Sequence, residues 1–135
     1  MIAIISTALA GVASTAAFQP GPYLATYYAS KAYVLSLSEA LAEETKGTGV
    51  SVTTLCPGPT RTEFFARANM RESMLARNAV MDAAAVAAAG YAGMMRGDRI
   101  VVPGLANRAT TMLVRLAPRG LVTRVLAGLN RTRPR

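Results

Sequence analysis

The sequence contains no His, no Trp and one Cys, Cys56. Without His it cannot build a Ser-His-Asp triad, and a lone Cys leaves no His/Cys zinc site. One Cys also excludes an internal disulfide, which suits a reducing cytoplasm. Charged residues are scarce at 16% while apolar residues reach 52%, so the composition is that of a chain with a core rather than a disordered one. Long apolar runs are missing as well. None approaches the ~20 residues of a membrane span, and the segment from Ala83 to Ala92 belongs to an Ala-rich amphipathic helix pattern. The opening MIAIISTALAGVAS has no Lys or Arg ahead of its apolar run, unlike a secretory signal. A length of 135 residues suits one domain at most. The formal charge of +8 suggests nucleic acid until it is located. Nine Arg and one acid, Asp98, lie between Arg96 and Arg135, whereas six cations and six acids balance over residues 1–95. The basicity is a property of the C-terminal tail.

Residues 2–14 are rich in Ile, Val and small residues and predict a buried strand with the loop leaving it. Phe18-Gln19-Pro20-Gly21-Pro22 predicts a loop. From Ala25 to Lys46 the pattern is helical, with Ala32, Leu35, Leu37, Ala40, Leu41 and Ala42 inward and Glu39, Glu43, Glu44 and Lys46 toward solvent. Gly47 and Gly49 stop that helix. Val50–Cys56 predicts a strand ended by Pro57-Gly58-Pro59. Residues 63–81 mix Phe64, Phe65, Met70, Met74, Leu75 and Met81 with Arg and Glu and predict a short-helix flap. Asp82 is placed to cap a helix running to about Met95. Arg99–Val102 predicts a further strand, and the tail follows as two amphipathic pieces broken by Pro118 and Gly120. Strands alternating with helices make this an α/β chain with a parallel sheet. About three strands are few for a doubly wound fold, so the sheet is a partial one.

Chemistry concentrates in Tyr27-Tyr28-Ala29-Ser30-Lys31, at the start of the long helix. Residues four apart share a helix face, so Tyr27 and Lys31 converge. An ammonium beside a phenol favours the phenolate, and a tyrosine so tuned serves as general acid or base. Five Tyr and two Lys in the chain make a chance pairing uncommon but not rare, so the pair needs company. Ser14 supplies it, thirteen residues earlier at the carboxyl end of the first predicted strand, where α/β folds place their sites. A hydroxyl there can donate to a substrate oxygen; Ser6 and Thr15 are the alternatives. Pro57-Gly58-Pro59-Thr60-Arg61-Thr62 follows the next strand, again at a carboxyl end, and its backbone and the Thr60 and Thr62 hydroxyls can hold a polar ligand.

Ser14, Tyr27-x-x-x-Lys31 and Pro57-Gly58-x-x-x-Thr62 together resemble the C-terminal half of a short-chain dehydrogenase/reductase. The wider run VASTAAFQPGPYLATYYASKAYVLSLSEALAEE, followed by GVSVTTLCPGPTRTEF, is similar to one bacterial branch of that family, over roughly residues 11–105. The resemblance implies a Rossmann-type three-layer fold, NAD or NADP as cofactor, and interconversion of an alcohol with a ketone or aldehyde. It implies that Tyr27 exchanges the proton, that Lys31 tunes it and holds the nicotinamide ribose, and that Ser14 orients the carbonyl. It implies that Thr62 lies near the cofactor amide and pyrophosphate, with Pro57, Gly58 and Thr60 of the same loop, and Tyr27 beside Lys31, also binding the cofactor. The Gly-rich fingerprint of the family is absent, since neither GVAST nor GDRIVVPG has the needed spacing. Also absent are the selector of NAD against NADP and the catalytic asparagine of the preceding helix. Family members run to roughly twice this length, so residues 1–104 read as the catalytic half of such a domain and 105–135 as a basic helical tail. Gly11, where the branch usually has Asn, and the unusual opening segment suggest a truncated or mis-started gene.

Among the remaining residues, Tyr28 points off the reactive face and reads as packing. Ser30 reads as a small helix-packing residue and Cys56 as a buried one. Met70, Met74 and Met81 either line a hydrophobic substrate cavity or fill core. Arg61 and Arg67 are in reach of a cofactor phosphate or simply solvated. In the tail, Leu105, Ala109, Met112 and Leu116 form one apolar stripe beside Arg108 and Arg115, and Leu121, Val122, Val125, Leu126 and Leu129 form a second beside Arg124 and Arg131. Such stripes pack on the domain or on a second subunit of a homo-oligomer, with Arg facing water, or lie on an anionic membrane surface. Nucleic acid is not expected, for the tail has no aromatic residue to stack on bases.

Overall fold

Val50–Leu55, entered through Gly49 in the left-handed region at φ 83°, is the central strand of a three-stranded sheet. Its run of Val and Thr suits a strand covered on both faces, and Val52, Thr53 and Thr54 are buried. The computed structural model describes residues 7–61 and 80–131. Thr7–Val12 (β1) pairs parallel with Val50–Leu55 (β2), in register from Thr7 opposite Val50 to Val12 opposite Leu55. Ile100–Val101 (β3) pairs parallel on the other side of β2, Thr54 opposite Ile100 and Leu55 opposite Val101.

Helices cover the two faces. Ala25–Glu44 (α1) lays Leu35 against Ala13 and Cys56, and Ser38 close to Gly11, so it faces the side chains of Thr54, Cys56 and Ile100. Ala83–Arg96 (α2) lies on the opposite face, where Gly90 meets Leu55 and Gly93 meets Val101. The result is a three-layer α/β fold with all strands parallel. Gly97, at φ 75°, closes α2 while Asp98 N–H donates to the Gly93 carbonyl at 2.9 Å. Asp82 holds the N-cap position of α2 but makes no side-chain capping hydrogen bond there.

The first strand departs from expectation. It is not buried: Leu9 is 51% and Val12 58% exposed. α2 lies over β2 and β3, and among the described residues nothing pairs with the outer edge of β1. Two of the residues expected to face inward on α1 also stand in solvent, Ala40 and Leu37, while Ser38 is buried in their place.

Leu105–Leu116 (α3) and Arg119–Asn130 (α4) follow β3 and are separated at Ala117-Pro118. Gly120 does not break the tail; it sits in the first turn of α4, behind Pro118 at the N-cap, where a missing proline N–H costs nothing. α4 packs Val122 and Leu126 against Ala16 and Tyr28 in a second core, and Asn130 Nδ2 donates to the Pro22 carbonyl at 3.0 Å. The stripe on α3 does not pack on the domain as one reading of the sequence expected. Leu105, Met112 and Leu116 face solvent, and Thr111 is the buried residue of that helix. No helix among the described residues is long and apolar enough to cross a membrane.

Candidate active site

Parallel strands bring their carboxyl ends to one side of the sheet, and the loops leaving them are the natural place for a site. β1 runs out at Val12, and Ser14 caps the following 3-10 turn Thr15–Phe18, its Oγ accepting from the Ala16 N–H at 3.1 Å. β2 runs out at Leu55, and the Pro57 carbonyl accepts from both Thr15 N–H at 2.9 Å and Ser14 Oγ at 3.4 Å. The two exits are thereby stitched together, with Ser14 only 8% exposed.

The first two turns of α1 pass over the end of β1. Lys31 Nζ donates to the Val12 carbonyl at 3.2 Å and lies 5.8 Å from the centre of the Tyr27 ring. Tyr27 stands edge-on to Tyr28, ring centres 5.9 Å apart, and its inner side rests on the core built by Ala16, Tyr28, Val122 and Leu126. The tail helix α4 therefore backs the site tyrosine. Tyr28 is 5% exposed and packs, as its position off the face implied; burial raises its phenol above the usual range. Ser30 is exposed, not packed, and its Oγ donates to the Tyr27 carbonyl at 2.7 Å.

These groups meet in one cavity of about 530 Å³, lined by Ser14, Tyr27, Lys31, Pro57, Gly58 and Thr60 among polar and loop residues and walled by Val12, Leu55, Ala83, Val86 and Ala87. Six of the seven positions singled out in the sequence thus share one concavity. The seventh, Thr62, lies outside the described residues, as do Ser6, Arg67, Met70 and Met74. Thr15 is not among the lining residues. Thr60 Oγ1 donates to the Gly58 carbonyl at 2.9 Å, and its segment bridges to Met81, with Arg61 N–H on the Met81 carbonyl at 2.9 Å. Arg61 is exposed.

Sequence reasoning missed two features. The apolar wall from α2 carries a signal, since Ala83, Val86 and Ala87 stand three and four apart on one face. Asn107 carried none. Its Nδ2 donates to the Pro103 carbonyl at 2.8 Å, and its amide lies so close to Gly58 that a Cβ there would collide with it. A side chain at position 58 would displace the Asn107 amide from its place beside the loop.

A model of the short chain dehydrogenase family matches residues 1–73, and the chain belongs to that family. It is similar to the uncharacterized oxidoreductase YvrD of Bacillus subtilis, 43% identical over 66 residues that make up 49% of this chain and 25% of the relative. Among solved structures it resembles a short-chain dehydrogenase from Sphingobium yanoikuyae in complex with NADPH, at 30% identity and TM-score 0.67, covering 84% of this chain and 44% of that one. A short chain dehydrogenase from Burkholderia cenocepacia in complex with NADP shares the fold at TM-score 0.68 and 24% identity, over 88% of this chain and 46% of that one. The chain spans less than half the length of these structural relatives.

Proposed function

We propose that the chain carries the catalytic half of an NAD(P)-dependent oxidoreductase that interconverts an alcohol with a ketone or aldehyde, in the cytoplasm. The observation that carries this reading is the single cavity in which Ser14, Tyr27 and Lys31 stand beside the Pro57-Gly58 turn. The residues present fit the nicotinamide and ribose end of a dinucleotide: an ammonium, hydroxyls and a loop at the strand ends, with apolar surface for a ring. When bound, the cofactor supplies or accepts the hydride. Ser14 Oγ, held by Ala16 N–H, offers its proton to a substrate oxygen in place of the long bond to the Pro57 carbonyl. Tyr27 passes a proton to or from that oxygen, and Lys31, anchored on the Val12 carbonyl, keeps positive charge beside the ring and would hold a ribose hydroxyl of the bound cofactor. Pro57, Gly58 and Thr60, with Thr62 by its motif position, would hold the amide end of a bound nicotinamide. Val12, Leu55 and Val86 leave an apolar wall, which favours a hydrophobic carbonyl substrate. The named complexes of related proteins with NADPH and NADP support the cofactor class.

The test joins residues 1–135 to a Gly-rich dinucleotide-binding half and compares Tyr27 with Tyr27→Phe. Turnover of a ketone panel should fall by about 100-fold to 10,000-fold, the usual contribution of a general acid, while cofactor affinity stays within about threefold. Near-normal turnover in Tyr27→Phe rejects the assignment.

A further inference from the structure

The amphipathic helix α3 is mounted the wrong way round for a water-facing helix. Its polar residues Asn107 and Thr111 turn inward, Thr111 only 7% exposed, while its apolar stripe looks out. Leu105 is 82% exposed, Met112 61%, Leu113 66% and Leu116 83%, and Ala109 lies between them. Spacings of three and four put Leu105, Ala109, Met112 and Leu116 on one line along the helix. Arg108 and Arg115, seven apart and both exposed, run along one flank of that line. Their guanidinium groups lean on the domain at the edge of that face while both residues stay exposed: Arg108 Nε donates to the Val102 carbonyl at 3.0 Å, and the Arg115 guanidinium sits 5.2 Å over the Phe18 ring. Beyond Asp98 the sequence contains no acidic residue, and α4 exposes Leu121 and Val125 beside Arg124.

We propose that the outward face of α3 docks on an anionic phospholipid bilayer, with Leu105, Met112, Leu113 and Leu116 entering the acyl boundary and Arg108 and Arg115 pairing with headgroup phosphates. Charge selects this occupant. A second copy set face to face across a two-fold axis would bring Arg108 and Arg115 against their own kind, and the tail holds no Asp or Glu to neutralise them. A surface of phosphates supplies that neutralisation along the whole helix. Twelve residues make about 18 Å of helix, too short to span a bilayer and suited to lying in its plane. The docking face is separate from the cavity of the proposed active site, so it stands or falls independently of that function.

The test is co-sedimentation of the full 135-residue chain with vesicles of equimolar phosphatidylglycerol and phosphatidylcholine, against phosphatidylcholine alone. Binding should appear with the anionic vesicles and be released by molar salt. Leu105→Glu/Leu116→Glu, at positions too exposed to affect folding, should lower partitioning by at least about 100-fold. Arg108→Gln/Arg115→Gln should lower it by about 30-fold at low salt, with unchanged far-ultraviolet circular dichroism in both variants. Absence of vesicle binding, equal binding to phosphatidylcholine, or binding indifferent to these substitutions overturns the proposal. So does a dimer in sedimentation velocity that the Leu105→Glu/Leu116→Glu variant abolishes while vesicles remain unbound.

Discussion

Cys56 has no exposed surface, and burial pushes its thiol up to about 11, with the Ser14 backbone N–H beside it pulling weakly the other way. A thiol that ionises less readily when folded holds its proton longer than the unfolded chain does. Below the ordinary thiol value of 9.0 both states are protonated and stability is flat with respect to this group. As pH rises toward 11 the unfolded chain gives up its proton first, so the folded state loses stability, by about 2–3 kcal/mol in full. Tyr28, also raised by burial, adds the same sign at higher pH. Urea unfolding across this range should therefore show a downward slope that flattens in Cys56→Ala, even though that variant starts about 1 kcal/mol lower. An equal slope in the variant would assign the effect elsewhere. The same burial should keep the thiol inert to a disulfide reagent until the protein unfolds.

Among the elements, the helix α2 shows how closely a small residue can govern packing. A Cβ on Gly93 would run into Cγ2 of Val101, a stiff β-branched side chain buried on β3. On α4, by contrast, Gly128 has nothing within 4 Å of where its Cβ would be. Gly93→Ala should therefore destabilise by about 1–3 kcal/mol through overpacking, while Gly128→Ala should stabilise by up to about 1 kcal/mol through helix propensity. Thermal melts of the two variants should move in opposite directions, and a shared direction would count against this packing. α1, α2 and β2 could be read from the sequence because composition and punctuation mark them: Gly47 and Gly49 follow α1, Ala-rich α2 stops at Gly97, and the Val and Thr of β2 end before Pro57-Gly58. The site could be read for a related reason: Tyr27 and Lys31 are one turn apart, and Ser14 and Pro57-Gly58 each follow a strand. What could not be read was orientation. Periodicity tells which residues share a face of α3, but only the tertiary fold decides that Thr111 is buried, in a pocket that Phe18 and Val102 also line, while Leu116 meets solvent. The exposure of β1 was hidden for the same reason, because Leu9 and Val12 look alike on a covered strand and a bare one. Asn107 was invisible since its role depends on Gly58, almost fifty positions earlier.

At the scale of the whole molecule, the cavity offers groups for one end of a dinucleotide and the 135 residues contain no Gly-rich turn to hold the pyrophosphate at a helix N-terminus. Positioning both reactants can supply ~7–11 kcal/mol of a barrier, and a cofactor fixed at one end forfeits much of that. A polypeptide of residues 1–135 alone should bind NADH and NADPH too weakly for fluorescence titration at micromolar concentrations and should show no turnover of ketones or alcohols with either. Measurable turnover would mean that the strand-end loops described above suffice as a cofactor site. The sheet itself carries a different consequence. Each of its pairings joins segments about forty residues or more apart, Thr7 with Val50 and Thr54 with Ile100, so no hairpin can zip up first and every ladder must wait for a long loop to close. Only the helices, α2 with its run of Ala among them, can gain local order early. Contact of Leu35 with Ala13 and Cys56 bridges the same long loop that the first ladder closes, a non-local topology of the kind that folds slowly.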